Sequence, residues 1–238
     1  MINLMKEKSV MPFFFYDSTW LLLLPAIIFS VWAQVKVKST FVKYDKIQSG
    51  SGMNGAVLAQ RLLNDLGLHH IQVEEIRGRL NDHYDPRSKT LRLSTAVAQS
   101  RSVAALGVAA HEVGHAVQHQ EAYQPFQIRQ AIAPVAGFGS RLAFPLIFAG
   151  LLFSLPSLMD IGIIFFSAAV FFQLVTLPVE FNASKRALLV LRNRGYLAQT
   201  EVGDAGKVLN AAALTYVAAT AVAVLNLIRL LVLRGSRD

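Results

Sequence analysis

Four long apolar runs decide what this chain can fold into. Residues 20–32, 141–158, 161–178 and 209–233 between them carry two charges, Arg141 and Arg229. The hydrocarbon layer of a bilayer is about 30 Å thick and takes about 20 apolar residues of helix to cross. Inside it, only a helix or a closed barrel satisfies every backbone polar group. Runs of this length are helices, so the chain is expected to be a mainly α integral membrane protein with about four transmembrane helices. The composition agrees: 53% of residues are hydrophobic and the mean hydropathy is +0.42, too apolar for an ordinary soluble domain. The first run, within about residues 18–33, has aromatic ends and lacks the small-residue cleavage site of a signal peptide. It reads as a retained span with a kink expected at Pro25. Only residues 157–160 separate the second run from the third, which makes a tight helical hairpin.

Four spans place both chain ends on one side. Lys36, Lys38, Lys43 and Lys46 follow the first span, and Lys185, Arg186, Arg192, Arg194 and Lys207 follow the third. The opposite side offers Lys6, Lys8, Arg234, Arg237 and little else. Basic loops stay in the cytoplasm, so both termini are expected outside. Arg229, near the end of its run, can snorkel to the interface. The chain divides into an N-terminal tail and first span (1–35), a cytoplasmic α+β region (36–130), a membrane hairpin (131–178), a cytoplasmic helical segment (179–208), and a last span with its tail (209–238). A net charge of +8 invites a nucleic-acid reading. The basic residues flank membrane runs instead, so the expected partner is the lipid bilayer and not nucleic acid. The absence of cysteine excludes disulfides, thiolate metal sites and a cysteine nucleophile.

The polar segment alternates short α and β signals. Residues 54–66 space Leu58, Leu62, Leu63 and Leu66 near one helix face, and Gly67 ends it. Ile71, Val73 and Ile76 suggest a strand. Residues 81–87 read as a turn around Asp85-Pro86, and Leu91 and Leu93 alternate in a strand at Thr90–Ser94. Ser100 or Ser102 can cap a helix running to about Glu121, stopped before Pro125.

That helix carries His111-Glu112-Val113-Gly114-His115. Residues four apart share a helix face, so both imidazoles can reach one ion while Glu112 poises a water for attack, the pattern of a zinc peptidase. The preceding turns, residues 103–110, are small and apolar on every side, so the motif is buried or membrane-embedded. Uncompensated, its polar groups would be costly there, and a bound cation removes much of that cost. A catalytic zinc takes three protein ligands. Asp160 lies in the outer hairpin turn and is on the wrong side. Glu121 is too far along the same helix. Glu201 and Asp204 sit in what reads as a solvated loop. Glu180, at the cytoplasmic end of the third span and opening a helix over 180–195, is the favoured third ligand. Its plainer reading is an ion pair with Lys185 or Arg186. Ser184, four residues on, can hydrogen-bond a ligating imidazole. His119 is the rival ligand, yet residues i, i+4 and i+8 stretch about 12 Å along a helix, too far to close on one ion. It can instead cap the site or bind a substrate carbonyl. His69, His70 and His83 have weaker claims. Gly114 leaves the helix flat, so another backbone can approach.

Three stretches carry a family resemblance: Asp82-His-Tyr-Asp-Pro-Arg87 with Leu91-Arg-Leu-Ser94, Gly107-Val-Ala-Ala-His-Glu-Val-Gly-His-Ala-Val-Gln118, and Leu177-Pro-Val-Glu-Phe-Asn-Ala-Ser-Lys-Arg-Ala187. With the order of spans, the chain resembles the YugP-like membrane zinc metallopeptidases (neutral zinc metallopeptidase type 2). More distantly it is similar to HtpX and the CAAX-prenyl proteases. The resemblance implies one Zn2+ per chain held by His111, His115 and Glu180, with Glu112 as general base; the expected setting is a bacterial cytoplasmic membrane, and the basic residues put the site on its cytoplasmic side. The distant relatives carry Asp where this chain has Ser184.

The expected function is a zinc-dependent endopeptidase acting on membrane or membrane-associated proteins, the bound zinc supplying an activated water and a polarised carbonyl. Glu112 takes the water's proton and passes it to the leaving amine. The oxyanion donor is open among His119, Tyr123, Arg186 and His83. The Thr90–Ser94 strand is expected either to hold an extended peptide by strand addition or to serve as an ordinary core strand. The alternatives from other classes are a non-catalytic metal-binding membrane protein, which would not need Glu112, and a chaperone-like assembly factor.

Overall fold

A computed structural model describes residues 18–79 and 81–235. Lys6, Lys8 and Arg237, which entered the charge comparison, and the two terminal tails lie outside the described residues. The described chain is mostly helical. A 3-10 turn at Ser18–Leu22 leads into α1 (Leu24–Asp45). Pro25 sits in the first turn of α1, where a missing N–H costs nothing, so it starts the helix and does not kink it. The helix continues through Lys36, Lys38 and Lys43, past the expected boundary at residue 35.

The region after α1 folds as α2 (Gly55–Asp65), β1 (Gln72–Ile76), β2 (His83–Asp85), β3 (Thr90–Ser94), α3 (Thr95–Ala98) and α4 (Val103–Gln120). Asn54 caps α2 by accepting from the Val57 N–H at 2.9 Å, and Gly67 follows with φ +73°, the left-handed conformation glycine adopts without strain. The expected turn at 81–87 is partly a strand. His83–Asp85 pairs antiparallel with β3, and the reversal falls at residues 86–89, with Lys89 at φ 52°. β1 pairs parallel with the other side of β3. The order is therefore β1-β3-β2. Thr90–Ser94 is the central strand with both edges used, so it cannot accept a peptide by strand addition.

Leu58, Leu62 and Leu63 of α2, Leu91 and Leu93 of β3 and Leu106 of α4 are all fully buried in one core. Each contributes about 1.5–3 kcal/mol by burial. The core seats α4 against the sheet. Its N-terminus is tied to the end of α1: Ser102 Oγ accepts from the Ala105 N–H at 3.1 Å and donates to Asp45 at 2.7 Å.

Three further helices are, like α1, long and apolar enough to cross a membrane: α5 (Gln124–Leu152), α6 (Pro156–Asn193) and α7 (Gln199–Gly235). The hairpin turn falls at residues 153–155, earlier than 157–160, because Pro156 takes the first turn of α6. The helix expected from residue 180 is not separate. α6 runs through Pro178 to Asn193. Glu201 and Asp204 lie in the first turns of α7 rather than in a loop. Glu201 reaches back to the Ala198 N–H at 2.8 Å and also takes the Gly50 N–H at 2.7 Å, as in a capping box. The long helices pack in the sequence α5, α6, α7, α1, and α4 lies against α6 and α7. Asp160, at the far end of the hairpin, pairs with Arg234 at 2.7 Å.

Candidate metal centre

α4 is buried on nearly every side, so its polar residues face protein. Gly114 makes the closest contact. A Cβ there would stand 2.6 Å from the Ala183 carbonyl oxygen of α6. The backbone that the flat patch admits is the protein's own. This contact brings Glu180 and Ser184, one turn apart on α6, alongside His111 and His115.

His111 Nε2 lies 3.2 Å and His115 Nε2 3.6 Å from Glu180 Oε2. Ligand atoms of the three residues all fall within 4.8 Å of one another, and among the described residues they form the one such group. Both imidazoles turn Nε2 inward and Nδ1 outward. His111 Nδ1 meets Ser184 Oγ at 3.1 Å. His115 Nδ1 meets Gln118 Oε1 at 3.0 Å. An amide oxygen only accepts, so Nδ1 of His115 carries the proton and its Nε2 lone pair points at the carboxylate. Gln118 is itself fixed, donating to the Val179 carbonyl at 2.8 Å and to Asn182 at 3.0 Å.

Glu180 does not pair with Lys185 or Arg186. Arg129 of α5 donates to its Oε1 at 2.8 Å, leaving Oε2 for the histidines. Arg186 turns away to Glu121 and Asn182, each at 2.6 Å. Burial pushes the His111 imidazole down, but the Glu180 hydrogen bond and the nearby Glu112 charge outweigh it and hold His111 above its ordinary value. That point of the protein favours positive charge. Two inward imidazole nitrogens, one carboxylate oxygen and an outer partner on each imidazole make a donor set that suits zinc.

Glu112 is buried at 7% exposure. With His111, Glu180 and Ser184 it lines a cavity of about 240 Å3, whose other walls include Asp82, Val37 of α1, and Leu209, Ala212, Ala213, Thr215 and Tyr216 of α7. Asp82 accepts the Ser94 N–H at 2.7 Å and the Ser94 hydroxyl at 3.0 Å. Burial raises its carboxyl above the usual range, the Ser94 bonds lower it, and Glu112 adds to the rise.

The four sequence candidates for an oxyanion donor stand elsewhere; none is among the residues that line this cavity. His119 Nδ1 lies 2.9 Å from the Tyr84 hydroxyl. It faces a separate cavity of about 140 Å3 with His70 and Lys89, and burial, Lys89 and His70 lower its pKa. Burial also raises Tyr84 to about 12. Tyr123 precedes α5 under the Arg186 guanidinium, 5.8 Å from ring centre. His83 Nδ1 meets the Asn81 carbonyl at 2.9 Å. His69 Nδ1 lies 3.4 Å from Asn64. Sequence reading missed Arg129, Gln118 and Tyr216. Only Gln118 had a local signal, its i+3 spacing from His115.

A family model described as "Putative neutral zinc metallopeptidase" matches residues 19–235. A protein of Bacillus subtilis (strain 168), described as "Putative membrane protease YugP", is 49% identical over 218 residues, which is 91% of this chain and 97% of that protein. No solved structure matches.

Proposed function

This chain belongs to the neutral zinc metallopeptidase family, and from that premise we propose that it is a membrane-embedded endopeptidase. On this reading it cuts membrane or membrane-associated proteins at the cytoplasmic face, with zinc on His111, His115 and Glu180. The observation that carries the reading is the convergence of those three side chains, from two separate helices, within 4.8 Å of one another, with His111 and Glu180 on the cavity that Glu112 also lines. A bound zinc ion supplies an acidified water and a Lewis acid for the scissile carbonyl.

The chain's own residues do the rest. Glu112 holds a carboxylate at the cavity wall, where it takes a proton from the attacking water and delivers it to the leaving amine. Ser184 and Gln118 fix the two imidazole rings in the orientation that points Nε2 inward. Arg129 occupies one Glu180 oxygen, so the carboxylate presents the other.

The membrane substrate class is supported by where the site sits. Glu180 lies 24 residues after Pro156 on α6, about 36 Å along its axis, just beyond the thickness of a hydrocarbon layer. The cytoplasmic side is supported by the lysines and arginines at that end of the spans.

The test is Glu112→Gln in purified protein. Turnover should fall by about 10²–10⁴ with zinc content unchanged. An enzyme that keeps its rate without this carboxylate would refute the peptidase mechanism. Cleavage of soluble unfolded casein as readily as of membrane substrates would refute the substrate class.

A further inference from the structure

Gln118 orients His115, and what orients Gln118 lies further along the same seam. α4 places His115, Gln118 and Glu121 three residues apart, and α6 places Asn182 and Arg186 one turn apart, so each set forms a row on its own helix. The two rows are joined link by link. His115 Nδ1 meets Gln118 Oε1 at 3.0 Å. Gln118 Nε2 donates to Asn182 Oδ1 at 3.0 Å. Arg186 Nε donates to that same oxygen at 2.6 Å, and Arg186 Nη1 donates to Glu121 Oε2 at 2.6 Å. A continuous hydrogen-bonded path therefore runs from the metal centre, through the fully buried Gln118, to the exposed Glu121.

The sense of this path is set by two groups that work in one direction only. The Val179 carbonyl can only accept, so the Gln118 atom that meets it at 2.8 Å is the amide nitrogen. The Arg186 guanidinium can only donate, so the Asn182 atom that meets it is the amide oxygen. With Asn182 turned over, its nitrogen would face the Gln118 nitrogen, donor against donor. The pair would be pushed apart, and Gln118 Oε1 would leave His115. His111 has no such control, because its partner Ser184 is a hydroxyl that donates or accepts. The plainer reading of Arg186 is a surface ion pair stapling α4 to α6. An arginine serving a carboxylate alone commonly uses two parallel N–H bonds. Here the fork is split, with one arm on Glu121 and the inner arm on Asn182.

Resting on the metal-ligand part of the reading above, we infer that Arg186 and Asn182 are positioning residues of the metal centre, acting on His115 through Gln118. Neither touches metal or substrate. Arg186 holds the Asn182 oxygen towards Gln118, and this holds the Gln118 oxygen towards His115. The His115 proton stays on Nδ1 and the Nε2 lone pair stays aimed at the site. A lysine at 186 would keep the charge but lose the planar fork that serves both partners.

The test uses the full chain in detergent, loaded with zinc or with Co2+ in its place. Affinity for each ion is read by competition with a chelator. In the cobalt-loaded protein the ring N–H protons of ligating histidines are shifted clear of other NMR signals, so their exchange with D2O can be timed. Gln118→Leu identifies the His115 signal and Ser184→Ala the His111 signal. Arg186→Lys and Asn182→Leu should each weaken metal binding by about tenfold, the low end of the effect of removing an imidazole's direct partner, and speed His115 N–H exchange by about tenfold. Exchange at His111 should stay as in wild type. Faster exchange at both histidines would overturn the proposal, because it marks a general loosening of the α4–α6 contact. Wild-type affinity and exchange in both variants would overturn it too, and would leave the peptidase reading intact if Glu112→Gln still abolishes turnover. If Asn182→Leu fails to fold, Arg186→Lys decides alone. A wild-type chain that binds neither ion would sink the metal site and both readings with it.

Discussion

Replacing Gly114 by alanine is a direct perturbation of the metal geometry, because it acts on the seam that sets it. The added Cβ would lie 2.6 Å from the Ala183 carbonyl oxygen, where ordinary contact begins at 3.4 Å. The neighbour is helix backbone and not the end of a flexible chain, so α4 and α6 must separate by roughly 0.8 Å at that level. The wedge sits between His111 and His115 on one side and between Glu180 and Ser184 on the other. Zinc–ligand distances are held within about 0.2 Å, so the displacement exceeds tolerance about fourfold. Overpacking of this kind costs about 1–3 kcal/mol. If that strain falls on the bound state, zinc affinity drops roughly ten- to hundredfold, at 1.4 kcal/mol per factor of ten. Helix propensity works in the opposite direction, since alanine in a helix interior is better than glycine by about 1 kcal/mol. The assay is zinc competition against a chromophoric chelator in detergent. Gly137→Ala serves as control, because a Cβ at that position of α5 meets nothing within 4 Å. Gly137→Ala should bind zinc as wild type does. If Gly114→Ala does so too, the α4–α6 contact does not govern the metal geometry and the reasoning fails.

Two further outcomes are expected. Gln118→Leu removes the acceptor for His115 Nδ1 and leaves the Val179 carbonyl and Asn182 without its amide; zinc affinity should fall about 10–100-fold, and an unchanged dissociation constant would refute a positioning role for Gln118. Asp85 is held down to about 2 by the Arg87 N–H and the Ser88 hydroxyl, with burial opposing them and Arg92 adding to them. A carboxyl depressed by folding contributes stability above its unfolded pKa of about 4 that is lost as pH falls through about 2. Asp85→Asn should therefore melt below wild type at neutral pH, with the gap closing between about pH 4 and pH 2, and a gap independent of pH would show that the carboxylate's charge is irrelevant to the turn.

The four long apolar helices were legible because apolarity can be read in each segment separately. A run without charge must be helical whatever surrounds it. The same logic misplaces helix ends, since apolarity marks what crosses lipid and not what is helical. α1 keeps its geometry through Lys36, Lys38 and Lys43, and α6 through Glu180 to Asn193, because polar side chains leave the helix ladder intact. β2 was not legible for a different reason. Three residues beside a proline carry little β signal, and Tyr84 becomes strand by pairing with Leu91 of β3, a contact made outside its own segment.

The candidate site divides along the same line. His111, Glu112 and His115 are spaced by the helix itself, so their shared face can be read from five residues. Glu180 was reachable by elimination, because topology leaves few carboxylates on the right side. Arg129 has no such signal. It stands 51 positions from Glu180, on a helix that otherwise reads as the start of a membrane span, and nothing in its neighbours announces a partner. Yet its presence follows from charge. Glu112 and Glu180 are both buried, and a charged group taken out of water is costly unless it is paired and hydrogen-bonded. One fixed guanidinium on the outer oxygen of Glu180 offsets part of that cost. It does so without occupying the inner oxygen, and so keeps the carboxylate aimed. A lysine could balance the charge but not the direction, since its ammonium is a point charge on a flexible stem. The buried carboxylate therefore calls for a planar cation from a third helix, and α5 is the helix that packs most extensively on α6.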